Sequence, residues 1–389
     1  MPQSIAAKAV KLQGALEKLI DNLIANDFEM GVQAAVYLDG EQIVDICAGK
    51  VSPDSDKKVQ PDTIFPVCST GKGVLATVVH ILAEQGVIDY DKKVAEYWPE
   101  FGCNGKENIT VRIAMAHLAA LTATPAVNSL EELCDFDFII KEYAKMAPQW
   151  EPGTRMQYHS RTWGWLVGGI AVKATGKSVP QLLKELVTAP LEIDREMFFG
   201  IDDEADQRFS AFIPQPSLGD QCSTAAITNA PPPPGSIKEL QLPIGAQVNL
   251  PEVKRACIPA INGIMSARAI ARMYAAAVGT VDGLRLFPES RLDLATTRVT
   301  EPGTTPECFG HGFGLGYALK GPANDMSAFI GHGGAGGSEG MVNRRMKLAF
   351  GLVKNRLDRH ADAPDHTVRL AIREMKKIMG DDLEGGFYE

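Results

Sequence analysis

The chain has 389 residues, 45% hydrophobic and 22% charged, an ordinary globular composition with length for a large core or two lobes. Its net charge of -9, with no basic run, argues against nucleic acid or an anionic membrane as a partner. No stretch reaches the length of a membrane span, and seven scattered cysteines without a C-x-x-C pair fit reduced thiols in a cytoplasmic protein.

The first 27 residues lack a basic start followed by a short apolar core, so no export signal is expected there. Leu12, Leu16, Leu19, Ile20 and Leu23 recur at helical spacing instead. This first helix is a candidate homodimer surface. Residues 31–37 and 42–48 are β-rich runs around Asp39-Gly40, a hairpin signal. Residues 62–67 then lead into Val67-Cys68-Ser69-Thr70-Gly71-Lys72. With Ser69 in the first turn of a helix, Lys72 falls one turn on and on the same face. A serine hydroxyl needs a base to become a nucleophile, and a lysine in a dry pocket can lose its charge and become one. The helix N-terminus adds unpaired N–H groups for a developing oxyanion. Residues 74–86 continue the helical pattern, and Asn108-Ile-Thr-Val-Arg is expected to open another helix towards Leu121.

The middle of the chain reads mostly as helix and loop. Pro152-Gly153 makes a turn, and Tyr158-His159-Ser160 follows just before a helix. A phenol near a cationic lysine can share protons with a serine and a leaving group. Residues 178–186 and 266–277 are the clearest helices, the second with Ile270, Ala271 and Tyr274 on one face. Residues 230–251 carry Pro231 to Pro234 in a row, which predicts a long surface loop that could wall a pocket. The last hundred residues turn β-rich. Residues 310–318 alternate glycine with larger side chains, Phe329-Ile-Gly-His-Gly-Gly-Ala-Gly-Gly-Ser-Glu-Gly offers close backbone approach to a substrate, and residues 347–353 read as a strand. A helix over residues 364–379 closes the chain, with Asp365 as its expected cap. Strands at both ends with helices between predict an α+β fold: one sheet built from both termini, with a helical lobe inserted. Residues 1–389 form one unit, with 1–66 plus 285–389 as the sheet lobe and 67–284 as the helical lobe.

Ser69-x-x-Lys72, Tyr158-x-Ser160 and His332-Gly333-Gly334, in that order, resemble the serine β-lactamase and penicillin-binding protein superfamily. The flanking residues 157–168, 261–276 and 331–338 are similar to one branch of it, the β-lactamase-like (family VIII) carboxylesterases. The resemblance spans about residues 31–355. It implies an α/β sandwich with an antiparallel sheet flanked by helices, the β-lactamase/transpeptidase-like fold. It also implies that Ser69 is acylated and that Lys72 is its base, sharing the proton with Tyr158. Tyr158 would protonate the leaving alcohol and later activate water. The N–H groups of Ser69 and Ala335 would form the oxyanion hole, and His332, Gly333 and Gly334 would line the substrate edge. Two departures bear on substrate. Position 332 is histidine where β-lactamases and transpeptidases usually carry the lysine that holds a carboxylate, which favours small esters without that group. Position 160 is serine where many relatives have asparagine. Ala116-His-Leu-Ala-Ala-Leu also departs from the usual His-x-x-Gly-Leu pattern.

Other readings weigh less. A transacylase would use the same acyl-enzyme. A β-lactamase or D-peptidase is disfavoured by His332 and by the expected lack of export, and a non-catalytic binding protein would not require Ser69, Lys72 and Tyr158 together. Ser338 lies in a G-x-S-x-G pattern, but a strand is expected after it rather than a helix. The G-x-G-x-x-G from Gly331 lacks a βαβ setting. Cys68 reads as a buried thiol, and His80 and His117 as structural side chains. Asp358, His360, Asp362, Asp365 and His366 show no recognised ligand spacing. The chemistry so read needs no cofactor and no metal, and its partner is a small-molecule ester.

Overall fold

Residues 3–213, 236–299, 312–322, 324–357 and 366–380 are described by the computed structural model. Strand β1 (Gly31–Leu38) turns through Asp39 and Gly40 into β2 (Glu41–Gly49), both turn residues having positive φ (47° and 86°), as a two-residue hairpin of matching twist needs. The small strands β3 (Phe65–Pro66), β4 (Met197–Phe199) and β5 (Gly263–Met265) come next. They are followed near the end of the chain by β6 (Gly312–Phe313), β7 (Ala318–Leu319), β8 (Phe329–Gly334), β9 (Ser338–Asn343) and β10 (Leu348–Lys354). The main sheet runs β2-β1-β10-β9-β8-β7-β6, antiparallel throughout. Both chain ends therefore build it, as the sequence predicts. The small sheet has the order β3-β5-β4.

Alternation sorts the strand residues onto two cores. Val32, Ala34 and Val36 of β1 join Phe350 and Leu352 of β10 on one face, whereas Ala35 and Tyr37 join Ala349 and Val353 on the other. Helix α1 (Gln3–Ala25) lays Leu12, Leu16 and Ile20, each four residues on, against the first face. The closing helix Thr367–Met379 adds Val368, Ile372 and Met375 beside it. The second face is covered by helix Ala267–Val278, including Ile270, Ala271 and Tyr274, and by α2 (Thr70–Glu84). Each buried Val, Leu, Ile, Phe or Met among these contributes about 1.5–3 kcal/mol by leaving water.

Three expectations change. The helix expected from residue 108 towards 121 is Val111–Met115 only, capped by Thr110, whose Oγ1 accepts from the Ile113 N–H at 3.2 Å. His117 and Ala120 then adopt left-handed backbone, φ 62° and 58°, which ends any helix. Ala120 stands where the related pattern has glycine, so the turn is kept despite its Cβ. The surface loop expected over 230–251 lies outside the described residues up to 235. Beyond, it contains a short helical turn Lys238–Gln241 and the helix Ile244–Val248, with Leu240, Ile244, Gln247 and Val248 buried. The proline run excludes helix only across itself, and Ile244 and Val248, four apart, carry the apolar face. The closing helix is capped by His366, whose Nδ1 accepts from the Val368 N–H at 3.2 Å. Asp358, His360, Asp362 and Asp365 lie outside the described residues. Among the described residues no cluster of metal-ligating side chains occurs, and no helix is long and apolar enough to cross a membrane.

A buried ion pair closes the sheet onto its helices. Glu29, just before β1, accepts from Lys354 Nζ at the end of β10 and from Thr367 Oγ1 at the start of the closing helix; both charged side chains are fully buried. Glu29→Ala removes the carboxylate facing a buried ammonium and is expected to lower unfolding free energy by about 3–5 kcal/mol in urea titration. A loss below about 1 kcal/mol, the level of a surface pair, would contradict this assignment.

Candidate active site

Strand β3 delivers the chain to the site. Its pairing with β5 is extended by the Val67 N–H, which donates to Gly263 O at 2.8 Å. Cys68 then takes a left-handed conformation, φ 45°, rare for a side chain with a Cβ. Ser69 follows as the N-cap residue of α2, and burial holds the neighbouring Cys68 thiol up at about 12. Cys68 is therefore an inert thiol, as expected, and its backbone turns the chain from strand into helix.

Lys72 is fully buried, with Nζ 2.9 Å from Ser69 Oγ. The same Nζ donates to Ala260 O at 3.2 Å. Ala260 comes this close because the first turn of α2 packs bare backbone against the neighbouring segment: a Cβ on Gly71 would lie 2.6 Å from Pro259 O. Burial holds the Lys72 amine well below its ordinary range; Cys68 pulls the other way, and the Arg161 guanidinium adds the smallest contribution, downward. A neutral amine that donates one proton to Ala260 O still has a lone pair to turn on the Ser69 hydroxyl.

Tyr158 and His332 complete the inner ring. Lys72 Nζ lies 4.9 Å from the centroid of the Tyr158 ring, and Tyr158 Oη is 3.5 Å from His332 Nε2. His332 Nδ1 is 2.7 Å from Gly333 O, a pure acceptor, so the proton sits on Nδ1 and Nε2 faces the phenol as an acceptor. Burial above all pushes the His332 imidazole well below its ordinary pKa, and a protonated Lys72 would push it the same way, so the ring is neutral at neutral pH. Behind Tyr158 stands His117, ring centroids 4.8 Å apart. His117 Nδ1 accepts from the His159 N–H at 3.0 Å, and His159 Nε2 accepts from the Leu121 N–H at 3.1 Å. Both imidazoles are held neutral by burial. The left-handed turn at His117 is what puts this ring behind the phenol, a role its place in the sequence does not show. Ser160, half-buried two residues beyond Tyr158, makes no hydrogen bond among the described residues.

The third wall is β8. Strand β7 pairs with it only at Ile330 and Gly331, while β9 pairs along its whole length to Gly334↔Ser338. Ser338 Oγ donates to Val67 O at 2.8 Å and accepts from Thr70 Oγ1 at 3.0 Å, tying β9 to the turn that carries Ser69. Its proton is thus committed to a backbone carbonyl and no helix follows it, so Ser338 is a tether rather than a nucleophile elbow. Ala335 follows β8, and neither its N–H nor that of Ser69 is taken by another described residue. Beneath His332, Lys320 and Glu339 form a buried ion pair of 2.5 Å. The structure therefore gathers Ser69, Lys72, Tyr158 and His332 around one point, with Gly333, Gly334 and Ala335 following His332 in the chain, whereas Ser160 is tied to them only by sequence.

Comparison with known proteins bears on the family and the fold. The family model described as Beta-lactamase matches residues 16–374. An esterase/beta-lactamase of Mycobacterium tuberculosis, LipL, is 36% identical over 336 residues, covering 84% of this chain and 77% of that protein. Among solved structures, a family VIII carboxylesterase superposes with a TM-score of 0.80 at 27% identity, covering 94% of this chain and 97% of the other. A penicillin-binding protein homologue from Caulobacter crescentus superposes with a TM-score of 0.78 at 26% identity, covering 92% and 96%.

Proposed function

Because the chain belongs to the beta-lactamase family and is a serine hydrolase, we propose that it is a carboxylesterase working through an acyl-enzyme on Ser69. The observation that carries this reading is the fully buried Lys72 amine 2.9 Å from Ser69 Oγ. Lys72 Nζ takes the Ser69 proton as Oγ bonds to the ester carbonyl carbon. The N–H groups of Ser69 and Ala335 receive the oxyanion. Collapse of the tetrahedral intermediate breaks the bond to the alkoxide, which leaves with a proton from Tyr158. Water then loses a proton to Tyr158 and attacks the acyl carbon; collapse of this second tetrahedral intermediate breaks the bond to Ser69 Oγ, which takes back the proton held by Lys72 as the acid leaves. An added alcohol in place of that water gives transacylation by the same route. A neutral imidazole at position 332 offers a carboxylate little, so the reading favours esters over β-lactams and D-peptides. Five unpaired cysteines among the described residues support a cytoplasmic setting.

The test is intact-protein mass after a fluorophosphonate or p-nitrophenyl butyrate, with release of p-nitrophenol followed in parallel. Wild type is expected to gain one acyl or phosphonyl group with a burst. Ser69→Ala is expected to gain none and to lose turnover by about 10⁴-fold or more. Equal labelling of the variant would move the nucleophile elsewhere. Hydrolysis of a chromogenic cephalosporin at a rate matching the ester would overturn the preference for esters.

A further inference from the structure

Arg161 carries a charge that no carboxylate among the described residues answers. It lies three residues beyond Tyr158 and is 8% exposed. Nη2 donates to Gln247 Oε1 at 2.5 Å, and Nε is buried with no hydrogen-bond partner. Gln247 is itself fixed: its Nε2 donates to Leu242 O at 2.6 Å and Leu240 O at 3.4 Å, which leaves Oε1 turned to the guanidinium. An amide is neutral, and no carboxylate among the described residues pairs with Arg161. Arg161 is also the N-cap residue of helix Thr162–Thr175, whose first N–H groups bear partial positive charge. A buried cation with only a neutral amide partner is unfavourable and is expected to be matched by an anion.

The surroundings point the same way. Gly164 of that helix packs against Ala260, whose carbonyl holds Lys72, so the helix start adjoins the reacting serine. His117, His159 and His332 are neutral and supply no negative charge. Glu339 is committed to Lys320. Among the described residues no counter-charge is left for Arg161.

We infer that Arg161, oriented by Gln247, is a docking point for a carboxylate on the substrate, so that the preferred esters bear a free acid group. This rests on the esterase reading and deepens it. The acid group is held beside the Tyr158 loop rather than at position 332, where the neutral imidazole stands. Arg161 is a specificity residue in this scheme and moves no proton.

The test compares p-nitrophenyl hydrogen glutarate with p-nitrophenyl valerate, and p-butyryloxybenzoate with its methyl ester. The first pair places the acid on the acyl side, the second on the alcohol side. Wild type is expected to favour the acid of one pair by about tenfold or more in kcat/KM, chiefly through KM, the worth of a charge-assisted hydrogen bond. Arg161→Met is expected to abolish that preference, with partial rescue by Arg161→Lys, the neutral esters serving as the reference for any change it causes at Lys72. Equal kcat/KM within both pairs for wild type overturns the inference, as does an Arg161→Met that slows acid and neutral esters alike, the mark of a structural role. Calorimetry of glutarate on Ser69→Ala needs no turnover and no change at Arg161. Glutarate, but not dimethyl glutarate, is expected to bind. Absence of glutarate binding, together with no acid preference, overturns the inference even where Ser69 labels normally. Failure of Ser69 to label would instead strike the esterase reading, and glutarate binding would then decide the anion site by itself.

Discussion

Lys72→Met is expected to lower kcat on p-nitrophenyl butyrate by about 10²- to 10⁴-fold, the usual worth of a general base, while raising stability at neutral pH. Methionine fills nearly the same volume without an amine to keep dry. The wild-type amine is fully buried, and burial holds its pKa well below the ordinary 10.5. The linkage sign follows from that direction. Between the lowered folded value and 10.5, the unfolded chain holds a proton that the folded chain has released. Wild-type stability therefore rises with pH across that window, by about 1.4 kcal/mol per unit for this group, and levels off above 10.5. Lys72→Met removes that slope, so its stability advantage is largest at the acid end of the window and fades towards 10.5. Activity runs in the same direction for a different reason. Only the neutral amine takes the Ser69 proton, so kcat/KM rises as pH passes the lowered value and then holds. Unfolding titrations at several pH values with kcat on the same preparations check both halves. A variant that keeps its kcat, or whose stability tracks wild type at every pH, would contradict a neutral buried base.

Much of this arrangement is legible in the chain because it is local. Val32, Ala34 and Val36 alternate with Ala35 and Tyr37, and that period of two survives into the two cores of the folded sheet. Leu12, Leu16 and Ile20 repeat at four, and Ser69 and Lys72 share one helix face for the same geometric reason. What is hidden is carried by backbone or by long-range meeting. The carbonyl of Ala260 holds Lys72, and a carbonyl has no letter in the sequence. Ser338 looks like a nucleophile by its spacing, yet its proton goes to the carbonyl of Val67, 271 residues away. The helix expected towards Leu121 stops at Met115 because His117 and Ala120 adopt left-handed backbone that composition does not signal. Arg161 and Gln247 lie 86 residues apart, and an arginine opening a helix reads as surface until its burial is seen. Local pattern thus predicts elements and side-chain pairs on one element. It does not reach the carbonyls and counter-charges that set how those side chains behave.

Gly334→Ala is expected to lower kcat by about hundredfold, although the substitution adds one methyl group and touches no proposed proton carrier. A Cβ at position 334 would lie 2.0 Å from Val67 O, 2.4 Å from Ser338 Oγ and 3.0 Å from Thr70 Oγ1. None of these atoms can yield cheaply. Val67 O is backbone, held by the β3–β5 extension that sets Ser69, and Ser338 Oγ is bonded to that same oxygen. The strain must therefore move β8. Six register pairs with β9 fix that strand from Phe329 to Gly334, so displacement concentrates at its open end and falls on the next N–H, that of Ala335. On the proposed mechanism this N–H is half of the oxyanion hole, where a shift of about 1 Å costs about 10² in rate. Gly333→Ala makes the contrast: its Cβ would meet Glu339 Oε2 at 2.9 Å and no backbone atom within 3.7 Å, so a smaller loss is expected. Ser338→Ala placed on top of Gly334→Ala should not restore activity, because the Val67 carbonyl remains. The readout is kcat on p-nitrophenyl butyrate with the amplitude of the p-nitrophenol burst. Full activity in Gly334→Ala, or rescue by Ser338→Ala, would mean that β8 is not held against the Ser69 turn as described.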